Sequence, residues 1–144
     1  MNKVLLVSIS AWVVSQLSKI VVVLVKQKRL DLRYFVNGGM PSSHSATVSA
    51  LAASVAIVDG FKSVTFAIAT IFALIVMFDA ASVRRWVGTQ SAILNRIVKE
   101  IKFKRPVAEL EHDLREFVGH TPFQVIIGAV LGITVAVIGL VVIH

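Results

Sequence analysis

The sequence predicts an all-α protein: a polytopic transmembrane bundle of about four membrane-spanning or membrane-embedded helices, with an amphipathic helical segment on one face. Three observations predict it. The chain is 144 residues long, 56% hydrophobic and only 16% charged, and its mean hydropathy is +0.83. Its charges are gathered between long apolar runs that a globular surface could not tolerate. Those runs approach the roughly 20 residues of helix that a bilayer core requires.

Taken in order, the first run is Val4–Val25, interrupted by Gln16 and Lys19. It is too long for a signal-peptide core and no small-residue cleavage site follows it, so a retained anchor is expected. The second, Ser45–Val58, is short and rich in alanine and serine, and Asp59-Gly60 ends it. With the third, Val64–Phe78, it forms a helical hairpin, although its length also suits partial insertion. The fourth, Pro122–Ile143, is rich in valine, isoleucine and glycine. Gly128 and Gly132 give it a Gly-x3-Gly pair suited to close helix packing, within the chain or in a homodimer. The whole chain, 1–144, reads as one integral membrane domain.

The polar region 79–119 lies between the last two spans. A helix is expected from Arg84 to Ile101, with Pro106 marking its break. Beyond it Val107, Leu110, Leu114, Phe117 and Val118 recur at helical spacing, as an amphipathic helix requires. With four spans, one membrane face carries Lys26, Lys28, Arg29, Arg33, Arg84, Arg85, Arg96, Lys99, Lys102, Lys104, Arg105 and Arg115. These are twelve of the 15 lysines and arginines. The other face carries Lys3 and Lys62. This asymmetry puts the basic face in the cytoplasm and both termini opposite. The net charge of +7, set beside apolar spans, points to anionic membrane lipids rather than nucleic acid. There is no cysteine, which excludes disulfide and thiol chemistry.

Chemistry concentrates in two places. In Gly38-Gly39-Met40-Pro41-Ser42-Ser43-His44-Ser45 the glycines permit a tight turn, Pro41 stiffens the approach, and Ser42 or Ser43 can cap a helix. The amide end of such a helix suits an anion such as phosphate, and His44 stands in its first turn. In Gly119-His120-Thr121-Pro122-Phe123-Gln124, Thr121 is a good N-cap and Pro122 a good first helical residue. His120 then repeats the placement of His44 on the same face, and Gln124, four residues on, could share its helix face. Taken singly, each stretch also reads as plain capping with an interfacial histidine; the convergence of two with many cations favours a site. Lys19 within a span calls for a partner or a polar cavity, or else for snorkelling to the membrane edge. Asp79 reads as an ion-pair partner at the end of the third span. Two histidines with no third ligand nearby give no metal site, and no cofactor is expected.

Gly-Gly-Met-Pro-Ser-Ser-His-Ser-Ala (38–46), Val-Arg-Arg-Trp-Val-Gly-Thr-Gln (83–90) with Leu94-Asn95, and Gly-His-Thr-Pro-Phe-Gln-Val (119–125) together resemble the divergent membrane branch of the type 2 phosphatidic acid phosphatase and vanadium haloperoxidase superfamily. The resemblance spans nearly the whole chain. It implies that Ser42 binds phosphate, that Ser43 replaces a glycine beside it, and that His44 is a general acid. It implies that His120 is the nucleophile, with Gln124 where the superfamily has a carboxylate to orient it. A glutamine can orient an imidazole but cannot stabilise an imidazolium by charge. The arginine expected six residues before the nucleophile falls at Leu114, so Arg84 or Arg85, with Lys19, would supply positive charge. Lys26 and Arg33 imitate another basic pair of the pattern. The function so implied is a metal-independent phosphatase of lipid phosphates or polyprenyl (di)phosphates that works through a phosphohistidine. The alternative is a non-catalytic binder, sensor or transporter of phosphorylated lipids using the same anion pocket. A purely structural helical partner in a larger complex is the remaining reading, and it leaves the paired histidines unexplained.

Overall fold

A computed structural model describes residues 2–27, 39–100 and 119–143. Five helices form them: α1 (Lys3–Gln27), α2 (Ser43–Asp59), α3 (Val64–Ala81), α4 (Val83–Glu100) and α5 (Pro122–Ile143). The amphipathic helix expected at 107–118 lies outside the described residues. α1, α5 and a stretch beginning with α3 are long and apolar enough to cross a membrane. The fold is an all-α membrane bundle.

Its burial pattern is the reverse of a soluble core. Many of the side chains withdrawn into the bundle are small or polar: Ala11, Ser15, Lys19, Ser45, Ala46, Ala50 and Ser54 are each 5% exposed or less. Large apolar side chains such as Ile9, Leu17, Ile68, Ile75, Ile126 and Val137 face outward. Lipid tails solvate those side chains as well as a protein interior would, so association rests on close packing of small residues. Hydroxyls that would be stranded in such a medium bond back to their own helix: Ser8 to the Val4 carbonyl (2.8 Å) and Thr47 to that of Ser43 (2.8 Å). The backbone needs no water partner there.

α2 is the axis of the bundle, packed against α1, α3 and α5, while α1 and α3 do not meet. The glycines of α5 explain how the helices come so close. A methyl group at Gly128 would run into the Ser42 carbonyl oxygen, and one at Gly132 into the backbone of Ala46. The Gly-x3-Gly pair therefore packs within the chain. At the far end Gly139 meets Val7, and Val7, Ala11, Ala50, Ala136 and Leu140 form the apolar core. These pairings run α5 parallel to α2 and α1 antiparallel to it.

The α2–α3 hairpin closes as its residues dictate. Gly60 takes φ +87° and its N–H donates to the Ala56 carbonyl (3.1 Å). Ser63 then caps α3 by accepting from the Phe66 N–H (3.1 Å). At its other end α2 begins below its neighbours. Ser43 lies level with Lys19, six residues inside the last residue of the first span, Val25, or about 9 Å at 1.5 Å per residue. The 17 residues of α2 span about 25 Å, short of a ~30 Å hydrocarbon core.

Candidate functional site

The site is assembled where two turns meet on the recessed start of α2. Ser42 is its N-cap: its hydroxyl accepts from the Ser45 N–H (3.4 Å) and from the Ser45 hydroxyl (3.0 Å). Ser42 and Ser45 are wholly buried, so this end of α2 is fixed by hydroxyls inside the bundle. The Met40–Pro41 peptide bond just before it is cis.

The second turn is built by a capping box. Thr121 Oγ1 accepts from the Gln124 N–H (3.3 Å), and Gln124 Oε1 accepts from the Thr121 N–H (3.0 Å). Backbone bonds then tie both turns together. The Ser42 N–H donates to the Gln124 carbonyl (3.2 Å), and the His120 N–H to the Ala80 carbonyl at the end of α3 (3.0 Å).

These ties bring the two histidines side by side. The rings of His44 and His120 are 6.1 Å apart, tilted by 59°. His44 is exposed and His120 is buried, at 5%. Lys19, also 5% exposed, donates from Nζ to Ser43 Oγ (3.1 Å), on the residue just before His44. Lys19 therefore does not snorkel; it turns inward to the head of α2. An ammonium and the positive end of a helix dipole converge there with a hydroxyl between them. In a low-dielectric bundle that convergence favours an anion.

The sequence expectations divide accordingly. Lys19, Ser42, Ser43, His44 and His120 come together. Arg84 and Arg85 begin α4 directly after α3, and their side chains lie outside the described residues, as does Arg33. Asp79 is half-buried in the last turns of α3. Gln16, one turn before Lys19, has a buried Oε1 without a hydrogen-bond partner. The shared helix face expected for His120 and Gln124 does not form, because His120 precedes the helix and the Gln124 amide oxygen is held by Thr121. Thr-x-x-Gln is a capping-box signature, so that role was visible in the sequence.

Comparison with known proteins gives this arrangement a lineage. The model of the divergent PAP2 family matches residues 1–135. The chain belongs to that family. One relative, "Uncharacterized membrane protein YuiD" of Bacillus subtilis (strain 168), is 39% identical over 147 residues, covering 95% of this chain and 93% of its own. No solved structure matches. The chain is thus a PAP2-related integral membrane protein.

Proposed function

We propose that this divergent PAP2 protein is a metal-independent phosphatase of lipid phosphates or polyprenyl (di)phosphates, with its site opening to the cytoplasm. The observations that support the reading are the side-by-side rings of His44 and His120 and the buried Lys19 held on Ser43, the residue next to His44. Lys19, Ser42 and Ser43 hold the phosphate oxygens, with Arg84 or Arg85 and Arg33 as further cations. A ring nitrogen of His120 bonds to phosphorus as the ester P–O bond breaks, and His44 gives its proton to the leaving oxygen. Water then attacks the phosphohistidine, passes a proton back to His44 and releases phosphate from His120. Positive charge beneath the phosphate stabilises the charge that gathers on its oxygens. Gln124 acts as a positioning residue, because its capping box and its carbonyl fix both turns.

The second reading is a binder, sensor or transporter that holds phosphorylated lipids without hydrolysing them. Gln124 favours it: no carboxylate stands at this position to balance an imidazolium, and its amide oxygen is engaged by Thr121. Phosphate release by purified protein from a panel of lipid phosphates separates the two. Turnover that falls at least 100-fold in His120→Ala and in His44→Ala is expected for the phosphatase. Unchanged turnover in His120→Ala would overturn the mechanism, and tight binding with no release at all selects the binder.

A further inference from the structure

The bundle is open between α3 and α5. α3 packs along α2 but touches α5 only sparsely. An apolar cavity of about 390 Å³ fills the space, floored by the Ala52, Ala53 and Ala56 side chains of α2 and walled by Leu74, Met77 and Ile133. A second apolar cavity shares those three wall residues and continues to Phe78 and Val125. The two are one groove. Its α3 wall runs from Phe66 to Phe78 and its α5 wall from Val125 to Val137. Either wall is about 18 Å long at 1.5 Å per residue.

The groove ends at the candidate site. Two residues past Phe78, the Ala80 carbonyl holds the His120 N–H, and the Val125 N–H donates to the Thr121 carbonyl beside it. A group bound at the histidines therefore has an apolar channel leading away from it through the membrane interior. The channel is lined almost wholly by apolar side chains. It suits one extended hydrocarbon chain, and its length exceeds half of a ~30 Å hydrocarbon core.

We propose that this groove is the chain-binding subsite for a phosphorylated lipid, taking one long hydrocarbon tail while the phosphate lies over Lys19 and Ser43. The inference rests on the phosphate site proposed above. The alanine face of α2 provides the room: larger side chains on Ala52, Ala53 or Ala56 would fill the channel. The sparse α3–α5 contact provides the door, because a lipid can slide in sideways without leaving the bilayer. The subsite selects for chain length, and the buried cation selects for phosphate.

The test compares hexadecyl phosphate and butyl phosphate, measuring the affinity of each for full-length protein in the same nanodiscs. Ile133→Trp and Leu74→Trp fill the groove from positions that are 48% and 54% exposed, so neither disturbs the core; Ala129→Phe narrows it nearer the site. The expected result is at least a tenfold loss of hexadecyl phosphate affinity in these variants, with butyl phosphate affinity unchanged within twofold. Equal losses for both ligands, or no loss for hexadecyl phosphate, would overturn the tail subsite while leaving the phosphate site standing. If the unaltered protein binds neither ligand, the phosphate site itself falls, and the subsite with it.

Discussion

Lys19 sits in a place where an amine is costly, inside a membrane span and turned away from the membrane edge. Replacing a buried charge by an apolar side chain of similar size commonly stabilises a protein, whereas a ligand site loses by it. Lys19→Met is therefore expected to raise the thermal midpoint in detergent and to lower affinity for inorganic phosphate at least tenfold. Unfolding followed by circular dichroism, with a phosphate titration, checks both directions. A fall in both would mean that Lys19 serves the fold alone. The anomaly of Lys19 was legible in the sequence, since a lysine in an apolar run demands a reason. Its partner was not, because Ser43 lies 24 residues away and only the register of α1 on α2 brings them together. Gln124 shows the converse: its side chain's partner, Thr121, is three residues away, so the capping box is written in the local sequence, whereas the bond from the Ser42 N–H to its carbonyl depends on how α5 packs on α2.

At the scale of elements, the start of α5 and its glycine face decide where the histidines stand. Breaking either half of the Thr121–Gln124 capping box, by Thr121→Val or Gln124→Leu, should cost about 1 kcal/mol. The double variant should cost less than the sum, because the two bonds share one turn. Detergent unfolding of the three variants measures that coupling. Gly132→Leu tests the helix contact: a side chain there strikes the backbone of Ala46, and overpacking of this kind costs about 1–3 kcal/mol or more. Loss of folded protein on size-exclusion chromatography is the expected outcome, and a well-folded Gly132→Leu would show that α2 and α5 separate readily. The helices were largely legible from hydropathy. α5 starts at Pro122 and ends at Ile143 as expected, and α2 and α3 each extend the expected run by a few residues. The use of Gly128 and Gly132 was not settled by sequence, because small-residue spacing fits a partner in the same chain or in another copy equally well.

For the whole molecule, an interior of alanines and serines inside a jacket of isoleucine, leucine and valine makes sense only in lipid. Its sidedness is a separate matter, resting on the charge asymmetry. The protein has no cysteine, so single-cysteine variants report cleanly. Lys62→Cys, in the α2–α3 turn, is expected to react with an impermeant maleimide from outside intact cells, and Gln90→Cys, on α4, only after permeabilisation. The reverse pattern would invert the orientation, and labelling of both from one side would mean that α2 and α3 do not cross. That the fold is an all-α membrane bundle was legible from composition and the length of the apolar runs; its axis was not, since the least hydrophobic span proved to be the central one.

The shortness of α2 has an electrical consequence. A bilayer drops its potential across the insulating layer, and a helix that begins about 9 Å beneath the last residue of its neighbouring span thins that layer locally. A phosphate descending to Lys19 would cross roughly a third of the core, and moving one charge through the full potential is worth about 2.3 kcal/mol per 100 mV. Each negative charge on the headgroup would then gain or lose up to about 0.8 kcal/mol per 100 mV. In the proposed orientation, where the site faces a negative cytoplasm, the gradient would drive the anion inward to Lys19. An energised membrane would thus load the site and a depolarised one release it, which vesicles with an imposed diffusion potential would reveal.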